Sequence, residues 1–91
     1  MPSRKVTISN RLGLHARPAM LLAERASAFS STIGIARADS SDPVDGKSIM
    51  QLLMLAGTAG TVLNITAEGD DAAAALASIA ELIENGFEDD E

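Results

Sequence analysis

A chain of 91 residues with 46% hydrophobic content, no cysteine and a net charge of −6 makes one small domain, residues 1–91, that needs no disulfide framework. The acidic balance, without a basic strip interleaved with aromatics, excludes a nucleic-acid binder, and no apolar run approaches the ~18 residues of a membrane span. The opening Met-Pro-Ser-Arg-Lys lacks the apolar core of a secretory signal, so a cytoplasmic location is expected. The charge is unevenly placed: residues 1–37 carry Arg4, Lys5, Arg11, Arg17, Arg25 and Arg37 against Glu24 alone, whereas residues 38–91 carry Lys47 against twelve acids.

In chain order, Lys5-Val6-Thr7-Ile8-Ser9 alternates polar with apolar, β-branched residues and reads as a half-buried strand ending at Asn10. Gly13 lets the following loop turn. From Pro18 to about Phe29, the residues Ala19, Leu22, Ala23, Ala26 and Phe29 recur at helical spacing, with Met20 and Leu21 off that stripe. Proline suits the first helical position because its missing N–H has no intrahelical partner there, so Pro18 is expected to open the helix. Thr32–Arg37 reads as a second strand with Ile33 and Ile35 on one face. A turn at Asp39-Ser40-Ser41-Asp42 leads to a short strand, Pro43-Val44-Asp45, that proline confines to a sheet edge.

Ser48 followed by Gln51 fits a capping box, so a short helix is expected to start at Ser48 and stop at Gly57. Its apolar positions 49, 50, 52, 53, 54 and 55 outnumber what one face of a surface helix can bury, so some must meet solvent or a partner. Thr61–Ala67 alternates as a fourth strand with Leu63, Ile65 and Ala67 inward. Asp70 or Asp71 then caps a long helix striped by Ala72, Ala75, Leu76, Ile79, Ala80 and Ile83, stopping at Asn85-Gly86. Residues 88–91 read as a frayed acidic tail. Strands apolar on one face and amphipathic helices imply an α+β fold: a two-layer open-faced sandwich, with a four-stranded antiparallel sheet and three helices on one side.

The only histidine lies in Asn10-Arg11-Leu12-Gly13-Leu14-His15-Ala16-Arg17-Pro18-Ala19-Met20, a loop that delivers it to a helix mouth. First-turn N–H groups, the positive end of the helix dipole and the guanidinium of Arg17 all favour an anion there. The same groups disfavour a cationic ring, and a neutral imidazole keeps the lone pair that a nucleophile needs. That combination suits a phosphoryl group carried on His15, with Arg17 stabilising it. A metal site is not expected, since no second histidine and no cysteine exist to complete one, and nothing in the sequence calls for a cofactor. Nor is there a nucleotide-phosphate loop or a general-base pair, so independent catalysis is not expected.

Gly13-Leu14-His15-Ala16-Arg17-Pro18-Ala19, Gly46-Lys47-Ser48-Ile49-Met50 and the strand from Gly60-Thr61-Val62 through Ala67-Glu68-Gly69 resemble the HPr phosphocarrier family of the phosphoenolpyruvate-dependent phosphotransferase system along nearly the whole chain. The resemblance implies a carrier that accepts a phosphoryl group on His15, at the ring Nδ1, from phospho-enzyme I and passes it to a IIA-type protein. Ala16, Met20, Glu24, Leu52-Leu53-Met54-Leu55 and the ending Asn85-Gly86-Phe87-Glu88-Asp89 are similar to the nitrogen-related type, NPr, which implies a regulatory branch; sugar-transport HPr is the alternative. Lys47-Ser48-Ile49-Met50 also resembles carriers whose serine is modified by a dedicated kinase, and a phosphorylase would reverse it. Ser48 is thus a candidate regulatory site, and a serine-controlled adaptor a second alternative. Family analogy makes Ala16, Met20, Ile49, Met50 and Leu53 a docking surface beside His15, where adaptable methionines suit a protein that meets both donor and acceptor. A monomer is expected.

Overall fold

The computed structural model describes residues 2–55 and 58–89; for Glu88 and Asp89 it describes the backbone alone. Four strands, β1 (Ser3–Thr7), β2 (Thr32–Arg37), β3 (Val44–Asp45) and β4 (Val62–Glu68), form one antiparallel sheet in the order β1-β4-β2-β3. Helices α1 (Ala16–Ser27), α2 (Ile49–Met54) and α3 (Ala72–Glu84) connect or follow them, and a one-turn helix α4 (Gly86–Asp89) comes last. The open-faced α+β sandwich expected from the pattern is the observed fold.

The period-2 pattern decides which face of the sheet is covered. Val6, Ile33, Ile35, Leu63, Ile65 and Ala67 are all buried, while Lys5, Thr7, Thr32 and Glu68 between them are exposed. The helices supply the other half of the core through Ala19, Leu22, Ala23 and Ala26 of α1, Leu52 of α2, and Ala72, Ala75, Leu76, Ile79, Ala80, Leu82 and Ile83 of α3. β3 is a sheet-edge strand only two residues long, as the preceding Pro43 dictates.

Several boundaries differ from the sequence reading, each for a physical reason. The first strand begins at Ser3, because β4 is long enough to pair Ser3 with Thr66 and Arg4 with Ile65. Beyond Thr7 the pairing continues through the loop: Ile8 N–H donates to the Thr61 carbonyl at 2.9 Å, and Gly60 N–H donates to the Ile8 carbonyl at 2.8 Å. α2 ends at Met54 with Leu55 as its C-cap, short of the expected stop at Gly57, which itself lies outside the described residues. α3 ends at Asn85 as expected, but the chain then turns through Gly86 (φ 64°) and Phe87 (φ 57°) into α4. The expected frayed tail starts at Glu88; the backbone of Glu88 and Asp89 is helical, and Asp90 and Glu91 lie outside the described residues.

Asp71, expected to cap α3, occupies the N-cap position but makes no cap hydrogen bond with its side chain. Its carboxylate instead accepts from the backbone N–H groups of Ser30 (2.9 Å) and Ser31 (3.0 Å) and from the Ser31 hydroxyl, tying the start of α3 to the turn between α1 and β2. The Ser31 hydroxyl, followed by the Ser30 N–H, holds this carboxyl down at about 2. Gly69 makes that approach possible: with φ 147°, an added Cβ there would lie 2.6 Å from Ser31 Oγ.

Candidate functional site

The loop between β1 and α1 is held by its own short-range bonds. Asn10, buried, donates from Nδ2 to the Gly13 carbonyl at 2.7 Å, while Gly13 N–H donates to the Asn10 carbonyl at 3.2 Å. Gly13, at φ 73°, is the residue that accepts this turn without strain. His15 N–H then donates to the Gly13 carbonyl at 3.1 Å, and Leu14 is buried in the core beneath it. The sequence reading treated Asn10 only as a strand end. An Asn three residues before a Gly was the available signal for a side-chain-closed turn.

His15 is the N-cap of α1, with extended backbone (φ −101°, ψ −165°) and no cap hydrogen bond from its side chain. The helix therefore begins at Ala16, two residues earlier than expected, and Pro18 is the third helical residue rather than the first. The physics that favours proline still applies, because the first intrahelical bond is Ala19 N–H to the His15 carbonyl at 2.9 Å. Pro18 occupies a first-turn position whose N–H has no intrahelical acceptor, and buries its ring instead. The only two amides of that turn ahead of Pro18 belong to Ala16 and Arg17. The imidazole is half-buried, and Ala16 and Arg17 are exposed.

Ser48 opens α2 differently. Its Oγ accepts from Gln51 N–H at 3.3 Å, which is one half of the expected capping box. The other half is not made: Gln51 Oε1 accepts from Asp45 N–H at 2.9 Å, reaching past Ser48 to the edge strand. Asp45 folds the approach into a turn by accepting from Lys47 N–H at 2.9 Å, and the Lys47 ammonium donates to the Phe29 carbonyl at 2.9 Å. Gly46 sits where a Cβ would lie 2.7 Å from Ile33 Cγ2, so only glycine lets this segment close on β2.

α1 and α2 pack against each other, and both carry apolar side chains in solvent. Met20 is 42% exposed, Ile49 41%, Met50 78% and Leu53 41%, while Leu52 is fully buried and Leu55 nearly so. The surplus apolar residues of α2 thus divide into two core anchors and an exposed set. Met54, 78% exposed, and Leu12, 55% exposed in the His15 loop, join that set although the sequence reading did not single them out. Leu21, off the α1 stripe, is partly buried against the core.

The family described as the PTS HPr component phosphorylation site matches residues 2–85. The chain belongs to the HPr family of phosphocarrier proteins. It is 41% identical to phosphocarrier protein HPr of Pseudomonas putida over 91 residues, the whole of both chains. It is 38% identical to phosphocarrier protein NPr of Proteus mirabilis over 87 residues, 96% of each chain. Among solved structures, HPr-C-His from Thermoanaerobacter tengcongensis superposes with a TM-score of 0.91 at 38% identity, covering 100% of both chains. Proteins of the HPr family carry phosphoryl groups and are not themselves catalysts. No helix among the described residues is long and apolar enough to cross a membrane.

Proposed function

We propose that His15 is the phosphoryl acceptor of this carrier. One observation carries the reading: the sole imidazole stands at the N-cap of α1 without making the cap bond, followed by Ala16, Arg17 and the N–H-less Pro18. A lone pair of the neutral ring attacks the phosphorus held by phospho-enzyme I; the N–P bond forms as the bond to the donor breaks. The incoming dianion meets the positive end of α1, the amides of Ala16 and Arg17, and the Arg17 guanidinium. Passing the group to a IIA-type acceptor is the same displacement in reverse roles, so the carrier must stabilise the phosphate without trapping it. Ala16, Met20, Ile49, Met50 and Leu53 form the docking surface for both partners, supported by their exposure on two packed helices.

For the branch, Ala16, Met20, Glu24 and the apolar surface of α2 support the nitrogen-related relay. The sugar-transport relay is favoured by the HPr names of the relatives at 41% identity. Phosphorylation of Ser48 by a serine kinase, reversed by a phosphorylase, would place a dianion at the N-terminus of α2 beside Ile49 and Met50, where it would alter docking rather than transfer chemistry.

Incubation with enzyme I and phosphoenolpyruvate tests the acceptor. The expected product is an acid-labile, alkali-stable phosphate that His15→Ala abolishes and Ser48→Ala retains. Acid-stable phosphate lost only in Ser48→Ala would overturn the reading in favour of a serine-controlled adaptor. Comparing rates with sugar-type and nitrogen-type enzyme I assigns the branch.

A further inference from the structure

The C-terminal turn lies against the loop that carries His15, and its backbone is strained. Among the described residues Phe87, at φ 57°, is the only one other than glycine in the left-handed region, which a side chain with a Cβ disfavours. What holds it there is burial: the ring is fully inaccessible, in the same core cluster as Ile8, Leu14, Leu22 and Ile83. α4 packs on both α1 and α3. The match to the family ends at residue 85, so this anchor lies beyond it.

The turn reaches the loop through specific neighbours. A Cβ placed on Gly86 would lie 3.7 Å from Ser9 Oγ and 3.8 Å from Asn10 Cβ, so the turn passes these two residues with room for no more than a methyl group between them. The Ser9 hydroxyl donates to the last turn of α3, 3.3 Å from the Glu84 carbonyl and 3.4 Å from that of Ile83. Asn10 in turn brackets Gly13, and Gly13 accepts from His15 N–H. The C-terminal turn, the last turn of α3 and Ser9-Asn10 thus lie side by side, and Asn10 is bonded into the turn that leads to His15.

We propose that Phe87 is a positioning residue for His15, a latch that seats the C-terminal turn beneath Ser9-Asn10 and so fixes the loop that presents the imidazole. The proposal rests on His15 being the phosphoryl acceptor. A one-turn helix has little stability of its own, and the fully buried ring holds this one against α1 and α3. The consequence reaches the site because orientation of the reacting atoms dominates what this carrier contributes to transfer.

Amide hydrogen exchange and single-turnover transfer from phospho-enzyme I, measured on Phe87→Ala and Phe87→Leu, test the latch. In Phe87→Ala with native circular dichroism, exchange at Gly13 and His15 accelerates about tenfold as the bracket opens. Transfer slows about fivefold with the final phosphate stoichiometry unchanged, and leucine restores both. A merely structural Phe87, whose loss opens a cavity in the shared core, would speed exchange at the Leu22 and Ile65 amides as much as at Gly13 and His15, and such uniform acceleration overturns the proposal. Gly13 and His15 exchange within twofold of the unmodified protein, or unaltered transfer, overturns the proposal. Should Phe87→Ala fail to fold, the smaller truncation Phe87→Val is judged by the same two amides. The exchange is read without enzyme I, so a failed latch and a failed assignment of His15 give separate results.

Discussion

Two helices of this protein start from an extended N-cap residue and end up with opposite chemistry. His15 and Ser48 are both N-caps in extended conformation, at φ −101° and φ −109°. Ser48 turns its hydroxyl onto Gln51 N–H, and Gln51 is itself engaged with Asp45, so the start of α2 is satisfied from within the chain. His15 makes no such cap, and Pro18 removes one of the first-turn donors that would need one. The start of α3 is a third solution, in which Asp71 forgoes its own helix to bind Ser30 and Ser31. A helix N-terminus offers an anion site only where its own residues do not close it. The side chain at the N-cap decides which of these a given helix becomes.

Substitutions that exchange these roles break or sharpen the contrast, ranked here by their effect on phosphoryl transfer. His15→Ala is expected to reduce phosphate incorporation to background, while the unfolding free energy measured in urea changes by no more than ~0.5 kcal/mol because the residue is only partly buried and makes no cap bond. Met50→Glu comes next: at 78% exposure it leaves folding unchanged, and placing a charge in the docking surface slows transfer from enzyme I about tenfold. Unaltered transfer in that variant would remove the docking role from α2.

Ser48→Ala is expected to lower stability by about 1 kcal/mol through loss of the cap, with transfer within about twofold of the unmodified protein. Asp71→Asn should leave transfer unaffected, lower stability at neutral pH and flatten the pH profile of stability below about 4. The folded carboxyl titrates at about 2, below the ordinary carboxylate value of 3.8, so its stabilisation is complete above that value and is lost as the pH falls from about 4 towards 2. Denaturation midpoints across that window should fall steeply in the unmodified protein and less so in Asp71→Asn. Equal slopes would exclude the clamp.

Much of this was legible in the sequence because the signals were local. Alternation named the inward residues of β2 and β4, helical spacing named the buried stripe of α3, and Ser48 announced its own cap. The surplus of apolar residues on α2 foretold exposed ones, and Leu52 against Met50 shows the division that packing made. What sequence periodicity could not reveal depends on partners far along the chain. Asp71 reads as an N-cap until Ser30 and Ser31 are brought to it, forty residues away. Phe87, between the stop of α3 and the acidic tail at 88–91, belongs to no periodic pattern, and only the core cluster that receives it reveals its role. The start of α1 was misread because proline was taken to mark the first helical position, when any first-turn position without an intrahelical acceptor accommodates it.

The central claim, that the uncapped start of α1 receives a phosphoryl group on His15, is tested most directly by nuclear magnetic resonance of the protein loaded from phosphoenolpyruvate and enzyme I. The account predicts one phosphorus resonance of phosphoramidate type, absent in His15→Ala, with the largest amide shifts on loading at Ala16 and Arg17 and little change at Gln51. A phosphate ester resonance, or amide shifts centred on Ile49–Gln51 with Ala16 and Arg17 unmoved, would contradict it.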